Sequence, residues 1–496
     1  MRRSNGGIIG PDIVTTGGPT GAASGVFKLG EVTDLIRQNK WPTVSPFPAN
    51  VTPNALRFNP ASSDYLTMTP ASSGNRRTFT FSFWFKRSQL SSNQNIYNQY
   101  NSSNGYNSAI LFNSSDDFII WDYTNAYQLN LITDRKFRDV NAWYHAVIAV
   151  DTTQATASNR AKIYINGVQE TSFSTATYPS QNLDLRINEY QPQQIGVFRY
   201  ASTNGNFFDG SMSHFHFIDG TAYDASAFGE TDATTGEWKI KTSPSVTYGT
   251  KGYWILKDGN TITDSSPNSN NFTVGGGTLT KTEDNPSSVM CTLNPLWTLE
   301  STRVPTLTLG NNMFSGGSSS TWYQTIGTLG FSSGKYYWEA KYNAGTNLGK
   351  NLVGAIGIDG VSSGVFYEKT PSVFYKNEDG GETRVNNSQS SGNYGTIAQN
   401  EILGCAIDMD ASTPTATFYK NGSPLVSNVS LTGFAGKTIV PAVSTYSSGE
   451  FQMNFGNGYF GTTAVSSAGT NASGNGIFEY DTPTGYTALS TKGLNL

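Results

Sequence analysis

Short runs of alternating apolar and polar residues fill most of this chain, and turn residues separate them. The clearest run is Thr78–Lys86, in which Phe79, Phe81, Phe83 and Phe85 fall on one face and small polar residues and a tryptophan fall on the other. Successive side chains of a strand point to opposite faces of its sheet. We therefore predict a β-strand whose phenylalanine face lies in a core.

Two hairpin signals extend this pattern to both halves of the chain. Asn166-Gly167 and Asn421-Gly422 each stand between short alternating runs. Asn-Gly favours a two-residue hairpin turn because both residues adopt positive φ there. The chain is therefore predicted to be all-β, with two antiparallel β-sandwiches in tandem.

The length of 496 residues exceeds what one core organises, which supports two large domains. The first sandwich is predicted at 49–290 and the second at 301–496, with a linker at 291–300 between them. Residues 1–48 are predicted to form an extended arm that contains a short helix and a proline-rich linker.

The arm carries an apolar stripe on its helix, which is roughly three turns at most and ends at Trp41-Pro42. A helix of this length is marginal alone in water, so its stripe is expected to dock on the rest of this chain or on another protein. The candidate docking residues are Val26, Phe27, Leu29, Val32, Leu35, Ile36 and Trp41.

The net charge and the hydropathy of the chain indicate which kinds of partner to expect. The net charge of −4 lacks the basic footprint of nucleic-acid binding, so we expect no nucleic acid partner. No apolar stretch approaches the roughly 20 residues that span a bilayer, and the N-terminus has no apolar signal-peptide segment. We expect no membrane insertion, and work outside a cell would then require release by lysis or another route.

The two cysteines, Cys291 and Cys405, fall in different predicted domains and form no CxxC motif. Neither a disulfide framework nor a zinc site is indicated.

The order of motifs along the first predicted sandwich resembles a concanavalin A-like, laminin-G-type jelly roll, and the second half is similar to a SPRY domain. The first resemblance rests on Leu56-Arg57-Phe58, Thr78–Lys86, Trp143–Val147, Ile163–Gly167 and Phe208–Gly220. The second rests on Gly334–Ala340, Val353–Ile358, Ile402–Asp410, Phe418–Gly422 and Ile439–Val443.

The tandem together with its N-terminal arm resembles virion appendage proteins of tailed phages, especially marine ones. That resemblance implies a virion protein, assembled in the host cytoplasm and exposed on the particle surface. Its arm would bind other virion proteins, and its sandwiches would bind a host-surface glycan or protein, as a homo-oligomer.

Catalysis would need paired carboxylates, because glycoside hydrolases among concanavalin-like folds use two of them across the scissile bond. The nearest acidic runs are Asp116-Asp117 and Asp408-Met409-Asp410, and neither matches the E-x-D-x-E pattern of those relatives. We expect no enzyme activity, and a polysaccharide-degrading enzyme is the weakest of three alternatives.

Two histidines, His214 and His216, alternate around Phe215 and could share a metal. The competing interpretation, which we favour because no third ligand is evident, makes them ordinary residues of a sheet face. His145 lies in a strand and is expected to be structural.

Calcium stays open as a cofactor, and no other cofactor is expected. The resemblance to laminin-G domains implies a loop-rim site, for which Asp116, Asp117, Asp122 and Asp209 supply hard oxygen ligands.

Aromatic residues in polar loops suggest recognition of a sugar-bearing surface, because rings stack on pyranose faces and amides and hydroxyls bond to ring hydroxyls. The candidate ligand-binding residues are Tyr97, Tyr106, Tyr123, Tyr127, Trp322, Tyr323, Tyr375 and Tyr394.

The expected function is non-covalent binding to a host surface by a tail fibre or short appendage. The alternative is a head-attached fibre or capsid decoration protein with a mainly structural or adhesive role. A long fibre usually has a coiled-coil or repetitive shaft, and the absence of a sustained heptad or repeat favours a compact appendage.

Overall fold

Alternating sequence becomes paired strands throughout the part of the chain that the computed structural model describes. That part comprises residues 52, 54–233, 235–297, 304–343, 350–361, 364–378, 380–390, 392–466 and 474–495. Within these ranges the helices are single 3-10 turns at Pro60–Ser62, Ala157–Asn159, Ala225–Ala227, Ile358–Gly360, Phe366–Glu368 and Gly493–Asn495. The all-β prediction is confirmed, whereas the predicted arm at 1–48 lies outside the described residues.

The first sandwich contains twenty strands. They are β1 (Ala55–Phe58), β2 (Tyr65–Met68), β3 (Thr78–Arg87), β4 (Gln94–Tyr100), β5 (Asn107–Phe112), β6 (Asp117–Tyr123), β7 (Tyr127–Lys136), β8 (Tyr144–Asp151), β9 (Ala161–Ile165), β10 (Val168–Gln169), β11 (Phe173–Thr177), β12 (Gln193–Ile195), β13 (Phe198–Tyr200), β14 (Thr203–Gly205), β15 (Gly210–Asp219), β16 (Gly229–Thr231), β17 (Trp238–Ile240), β18 (Tyr253–Ile255), β19 (Thr273–Gly276) and β20 (Thr280–Thr282).

Two eight-stranded sheets form this sandwich. Sheet A has the order β10-β9-β8-β3-β15-β1-β20, with β18 also paired to β15, and sheet B has the order β11-β7-β6-β5-β4-β12-β2-β19. Strand β1 pairs with both β15 and β20, so the last strand of sheet A lies beside the first.

The core between sheets A and B is built on the phenylalanine face of β3, as the alternation predicts. Phe79, Phe81, Phe83 and Phe85 are all fully buried. Phe83 stacks on Phe215 of the neighbouring strand β15, with 5.0 Å between ring centroids. Offset aromatic contacts of this kind add stabilisation beyond the area that they bury.

The outer face of sheet A is also buried, which the alternation in β3 does not reveal. Ser82 and Trp84, on the face opposite the phenylalanines, are covered by the segment that follows β15. Trp238 and Trp254 are the largest side chains of that cover. Sheet B differs within the described residues, because its outer face leaves Tyr123 and Tyr127 partly exposed.

The second sandwich contains sixteen strands. They are β21 (Thr306–Thr308), β22 (Met313–Ser315), β23 (Trp322–Ile326), β24 (Lys335–Tyr342), β25 (Asn351–Gly357), β26 (Ser372–Lys376), β27 (Glu382–Val385), β28 (Ser388–Gln389), β29 (Ile402–Asp408), β30 (Thr415–Lys420), β31 (Ser423–Ser430), β32 (Ile439–Tyr446), β33 (Glu450–Asn454), β34 (Tyr459–Phe460), β35 (Thr463–Ala464) and β36 (Thr487–Ala488).

Two sheets enclose the second core. Sheet C has the order β21-β22-β33-β24-β29-β30-β31, with β36 added to β24, and sheet D has the order β23-β32-β25-β26-β27-β28. The β24–β36 pair is parallel, whereas the other strand pairs of these two sheets are antiparallel.

Cys291 and Cys405 both lie in the second core, contrary to their assignment to different domains. Both thiols are free and buried. Leu293 also packs in this core, so the first residues of the segment predicted as a linker are part of the second sandwich.

Both Asn-Gly hairpins form as predicted, and each makes the same additional contact with a neighbouring strand. Asn166 and Asn421 have positive φ, as do the glycines that follow them. Each asparagine also exchanges two hydrogen bonds with a neighbouring strand. The backbone N–H of His145 donates to the Asn166 side chain at 2.8 Å, and that of Ile402 donates to the Asn421 side chain at 2.9 Å. The backbone N–H of each asparagine donates back at 2.9 Å.

A buried carboxylate joins the two sandwiches. Asp284, in the segment between them, pairs with Lys86 of β3 at 2.7 Å and accepts the indole N–H of Trp143 at 3.1 Å. Its Oδ1 atom also accepts the backbone N–H of Met290 at 3.3 Å. Because an unpaired buried charge is costly, these contacts fix the course of the connecting segment.

Arg57 of β1 makes a second link between the sandwiches. Its guanidinium donates to the carbonyl oxygen of Leu309 at 3.2 Å and to that of Gly461. Burial lowers the pKa of Arg57 to about 10, which still leaves the side chain charged at neutral pH. Residues from 52 onward accordingly form one compact unit.

The segment 474–495 closes the second sandwich. Its strand β36 pairs with β24, and the backbone N–H of Cys291 donates to the carbonyl oxygen of Leu489 at 2.9 Å. The buried carboxylate of Glu339 in β24 accepts the backbone N–H groups of Glu479 and Tyr480, each at 3.0 Å. Burial raises the pKa of Glu339 to about 7.

Among the helices of the described residues, none has the length and apolar character needed to cross a membrane.

We expect the Asp284→Ala variant to destabilise the protein by about 3 kcal/mol, because it leaves Lys86 buried without its carboxylate partner. Chemical denaturation measures the loss. The matched control is Asp184→Ala, which removes an exposed ion pair with Arg77 and is expected to cost less than about 1 kcal/mol. Equal effects of the two substitutions would contradict the role assigned to Asp284.

Candidate functional site

Four aromatic residues gather on the outer face of sheet B. The Trp121 ring contacts the Tyr127 ring at 6.0 Å and the Phe198 ring at 6.1 Å, and Tyr123 contacts Tyr127 at 5.3 Å between centroids. Tyr123 is 37% exposed and Tyr127 is 52% exposed. Trp121, Tyr123, Tyr127 and Phe198 are called the aromatic patch below.

A β-bulge brings Tyr127 to this face. The alternation along β7 places Tyr127 in phase with the core residues Leu129 and Leu131. However, the register shifts between the Asp122–Leu129 pair and the Tyr123–Tyr127 pair, which leaves one extra residue in β7. An extra residue reverses the alternation and re-aims the side chain beyond it. Tyr127 therefore lies opposite Tyr123 and outside the core.

A hairpin made of β13 and β14 borders the patch. The backbone N–H of Arg199 donates to the side chain of Asn98 at 3.0 Å, which holds the hairpin to sheet B. Phe198, the fourth residue of the patch, belongs to this hairpin, and Tyr200 contacts Tyr100 at 5.3 Å between centroids. Tyr200 is 57% exposed and extends the aromatic surface along the sheet.

Tyr106 stands next to the patch in a polar setting. The Asn125 amide, in the turn between β6 and β7, donates to the Tyr106 hydroxyl at 3.3 Å. The Arg186 guanidinium lies over the Tyr106 ring, 4.6 Å from its centroid. Flat rings beside an amide and a guanidinium can stack on a sugar ring and bond to its hydroxyls.

Tyr97 does not belong to this surface. It is fully buried in the first core, and its hydroxyl donates to Gln99 at 3.1 Å. A side chain with no exposed area cannot contact a ligand without unfolding its sheet, so the structure removes Tyr97 from the candidate set.

The four candidate ligand-binding residues of the second sandwich also differ in exposure. Tyr323 and Tyr375 are buried in the second core, where they cannot reach a ligand, and Tyr394 is half-buried against that core. Only Trp322 joins an aromatic cluster on an outer face, where it contacts Tyr367 at 5.7 Å and Tyr446 at 5.6 Å between centroids.

The docking candidates of the arm, Val26, Phe27, Leu29, Val32, Leu35, Ile36 and Trp41, lie outside the described residues.

Two of the calcium candidates are already paired with cations. Asp116 is buried and forms ion pairs with Arg87 and Arg138, both at 3.1 Å. Asp117 pairs with Lys136. Their charges are balanced without a metal ion.

The other two calcium candidates are held differently. Asp122 accepts the Ser108 hydroxyl at 2.7 Å and the backbone N–H of Arg186 at 2.6 Å, and burial raises its pKa to about 6. Burial also raises the pKa of Asp209 to about 6, and Arg57 opposes this shift. Across the described ranges, no three His, Cys, Asp or Glu residues assemble in a geometry that suits a metal ion.

The three histidines of the chain are buried on the outer face of sheet A. His145 stacks on Trp84 at 4.8 Å, and His216 stacks on Trp254 at 5.0 Å between centroids. His214 lies beside His216, with 6.3 Å between ring centroids. His214 has a φ of +47° and stands at a register shift in β15.

Each of these imidazoles has a hydrogen-bond partner from the protein. The Trp238 indole N–H donates to His145 Nδ1 at 3.0 Å, and the Tyr248 hydroxyl lies 2.8 Å from His216 Nδ1. The Ser213 hydroxyl lies 2.9 Å from His214 Nδ1. These contacts support the interpretation of the histidines as residues of a sheet face.

Asp408 and Asp410 serve the turn after β29. Asp408 pairs with Lys335 at 2.8 Å and accepts the backbone N–H of Asp410 at 2.9 Å. Asp410 accepts the backbone N–H of Gly334 at 2.6 Å.

Sequence reasoning missed Phe198 and Tyr200, which complete the surface around the patch. Both lie in a short hairpin that no alternation marks, and only tertiary contacts with sheet B bring them to Trp121 and Tyr100.

Comparisons with known proteins agree with this architecture. A family model of the concanavalin A-like lectin/glucanases superfamily, Laminin_G_3, matches residues 60–228, and a SPRY domain model matches residues 335–458. No curated protein sequence matches the chain significantly.

Similar solved structures include two of distinct kinds. The SPRY domain of human HERC1 is 18% identical, with a TM-score of 0.25, and the match covers 32% of this chain and 96% of that chain. The native heptameric SAP-like pentraxin from Limulus polyphemus is 14% identical, with a TM-score of 0.29, and the match covers 46% of this chain and 96% of that chain.

The buried histidines predict a pH dependence of stability. Burial lowers the pKa of His145 and of His214 to about 3, whereas an unfolded histidine has a pKa near 6.5. Between these pH values the unfolded state binds more protons, so the free energy of unfolding falls as the pH falls. Lys257 opposes protonation of His214 further.

The test compares wild type with His145→Gln by urea denaturation at pH 6.5 and pH 5. Wild type should lose about 1.5 kcal/mol more than the variant over this interval. The comparison with the variant is needed because the raised pKa values of Asp122, Asp209 and Glu339 increase the free energy of unfolding as the pH falls, which opposes the effect of the histidines. Identical losses in the two proteins would contradict the prediction.

Proposed function

We propose that this tandem of a concanavalin A-like domain and a SPRY domain is a non-enzymatic binding protein of a tailed-phage virion. It holds a host-surface saccharide through the aromatic patch of its first sandwich. The observation that carries the proposal is the exposure of Tyr123 and Tyr127 on a preformed aromatic surface.

The patch suits a saccharide better than an apolar partner. Exposed tyrosines present a ring face together with a hydroxyl, and Asn125 and Arg186 add hydrogen-bond donors beside them. A single shallow site of this kind binds weakly. Several copies on one particle raise the overall affinity through a high effective concentration, which is why the proposal includes a homo-oligomer.

The proposal that the protein belongs to a virion is supported by the order of its sequence motifs and by its N-terminal arm. The arm at 1–48 would bind other virion proteins, which leaves the sandwiches exposed on the particle. A tail fibre or short appendage is the first location that we propose.

A head-attached fibre or capsid decoration protein is the second candidate. The observation that favours it is the architecture of the described residues, which consist of strands and single helical turns without a helical shaft. Such a compact protein could pack on capsid neighbours and adhere to cells as an accessory.

The proposal includes no catalytic step. The acidic pair nearest to a hydrolase pattern, Asp408 and Asp410, is engaged with Lys335 and with backbone N–H groups of its own turn. Turnover of a host polysaccharide by the purified protein would overturn this part of the proposal.

The Tyr127→Ala variant is expected to lose saccharide affinity about two- to twelvefold, because one exposed ring contact is worth about 0.5–1.5 kcal/mol. The measurement is binding to an array of bacterial surface polysaccharides, followed by titration of the best ligand. Tyr190→Ala is the matched control, because Tyr190 is 57% exposed and lies outside the patch. Equal binding by wild type and the Tyr127→Ala variant would overturn the assignment of the patch.

Immunogold labelling of intact virions tests the setting, with antibody raised against residues 301–496. Gold at the tail or at its junction with the head is the expected result. Gold spread over the capsid would support the second candidate instead, and virions without any gold would exclude both.

A further inference from the structure

A groove of about 620 Å³ opens at one end of the second sandwich. Its walls come from the start of β24, from the turn after β29 and from the segment that precedes and follows β36. The side chains used below are Lys335, Tyr336, Asp410, Tyr486 and Leu494.

One wall carries opposite charges side by side. Lys335 pairs with Asp408 at 2.8 Å, and this hydrogen bond raises the pKa of Lys335, which stays protonated. Asp410 uses Oδ1 to accept the backbone N–H of Gly334 at 2.6 Å. Its side chain is exposed, and no described residue donates to its second carboxylate oxygen. The wall therefore offers an ammonium group and an accepting oxygen together.

Two phenols complete the lining. The Tyr336 ring packs on Phe331 with 4.4 Å between centroids, which fixes its position, and the Tyr486 ring is half-buried. Burial raises the pKa of Tyr486 to about 12, so its hydroxyl can donate as well as accept.

We infer that this groove binds a neutral saccharide of one or two rings. Neighbouring donors and acceptors match the hydroxyl groups of a sugar, each of which both donates and accepts. An anionic ligand would meet the carboxylates of Asp408 and Asp410, and a cationic ligand would meet the ammonium group of Lys335, whereas a neutral ligand avoids both repulsions. The half-buried Tyr486 supplies a ring for stacking, and Leu494 adds apolar area at the mouth.

The groove is distinct from the surfaces described so far. The family match to the SPRY domain ends at residue 458, whereas Tyr486 and Leu494 belong to the segment that closes the sandwich after it. The aromatic patch lies on sheet B of the other sandwich. The inference shares the ligand class of the proposed function but none of its residues, so either can fail while the other stands.

The test is isothermal titration of the full chain with methyl α-glucoside, N-acetylglucosamine and lactose, with glucuronate and glucosamine as charged comparators. The variants are Asp410→Ala and Tyr486→Phe, which remove one groove acceptor and one hydroxyl without touching a core residue. Tyr127→Ala reports on the aromatic patch, and Tyr190→Ala is the surface control. Thermal unfolding of each variant confirms that the fold is retained.

We expect at least one neutral sugar to bind with a Kd below about 10 mM and to lose tenfold or more in affinity in Asp410→Ala, with a smaller loss in Tyr486→Phe. The Tyr127→Ala and Tyr190→Ala variants should retain the sugar binding that is due to the groove. The inference is overturned if no neutral sugar binds, if the charged comparators bind as well as the neutral sugars, or if Asp410→Ala binds like wild type. A loss confined to Tyr127→Ala would overturn the groove while the proposed function stands.

Discussion

The rest of this structure depends on the buried carboxylate of Asp284. It neutralises Lys86 and accepts the indole N–H of Trp143 on the first sandwich, and it also accepts a backbone N–H just before the second core begins. Desolvated charges tolerate little displacement, because either one left alone is far costlier than the pair. Together with Arg57, which donates to carbonyl oxygens of the second sandwich, this pairing makes the joint stiff. The aromatic patch and the groove therefore lie on one compact unit.

Much of the fold could be predicted because its signals are local. The alternation in Thr78–Lys86 places four phenylalanines in the core, and the Asn-Gly turns form where expected. The candidate site was less accessible to such reasoning. Tyr97 and Tyr127 look alike in sequence, yet one fills the core and the other is exposed, because a single extra residue in β7 reverses the alternation. Bulges of this kind depend on pairing between strands, which a single sequence does not encode in a short motif.

The contrast between sheets A and B explains why the proposed recognition surface lies on only one of them. The outer face of sheet A is covered by tryptophans and carries all three buried histidines, whose lowered pKa values leave them uncharged at neutral pH. This outer face is therefore buried as well, in addition to the core between sheets A and B. In the described residues, sheet B leaves Tyr123 and Tyr127 partly exposed, and the β13–β14 hairpin is held to its outer face. Two sheets with a similar alternation of residues thus differ in the burial of their outer faces, because different neighbouring segments pack on them.

The position of β20 and β36 in the chain sets the order in which the molecule can be made. Strand β1 needs β20, more than 200 residues later, before sheet A is complete, and β24 needs β36. During synthesis the first sandwich can close while the second is still being translated, since domains generally fold as units from the N-terminus. The second sandwich cannot seal until residues 474–495 have left the ribosome. A nascent chain stalled before that point would expose the apolar faces of β24 and β29, and it would depend on chaperones to avoid aggregation.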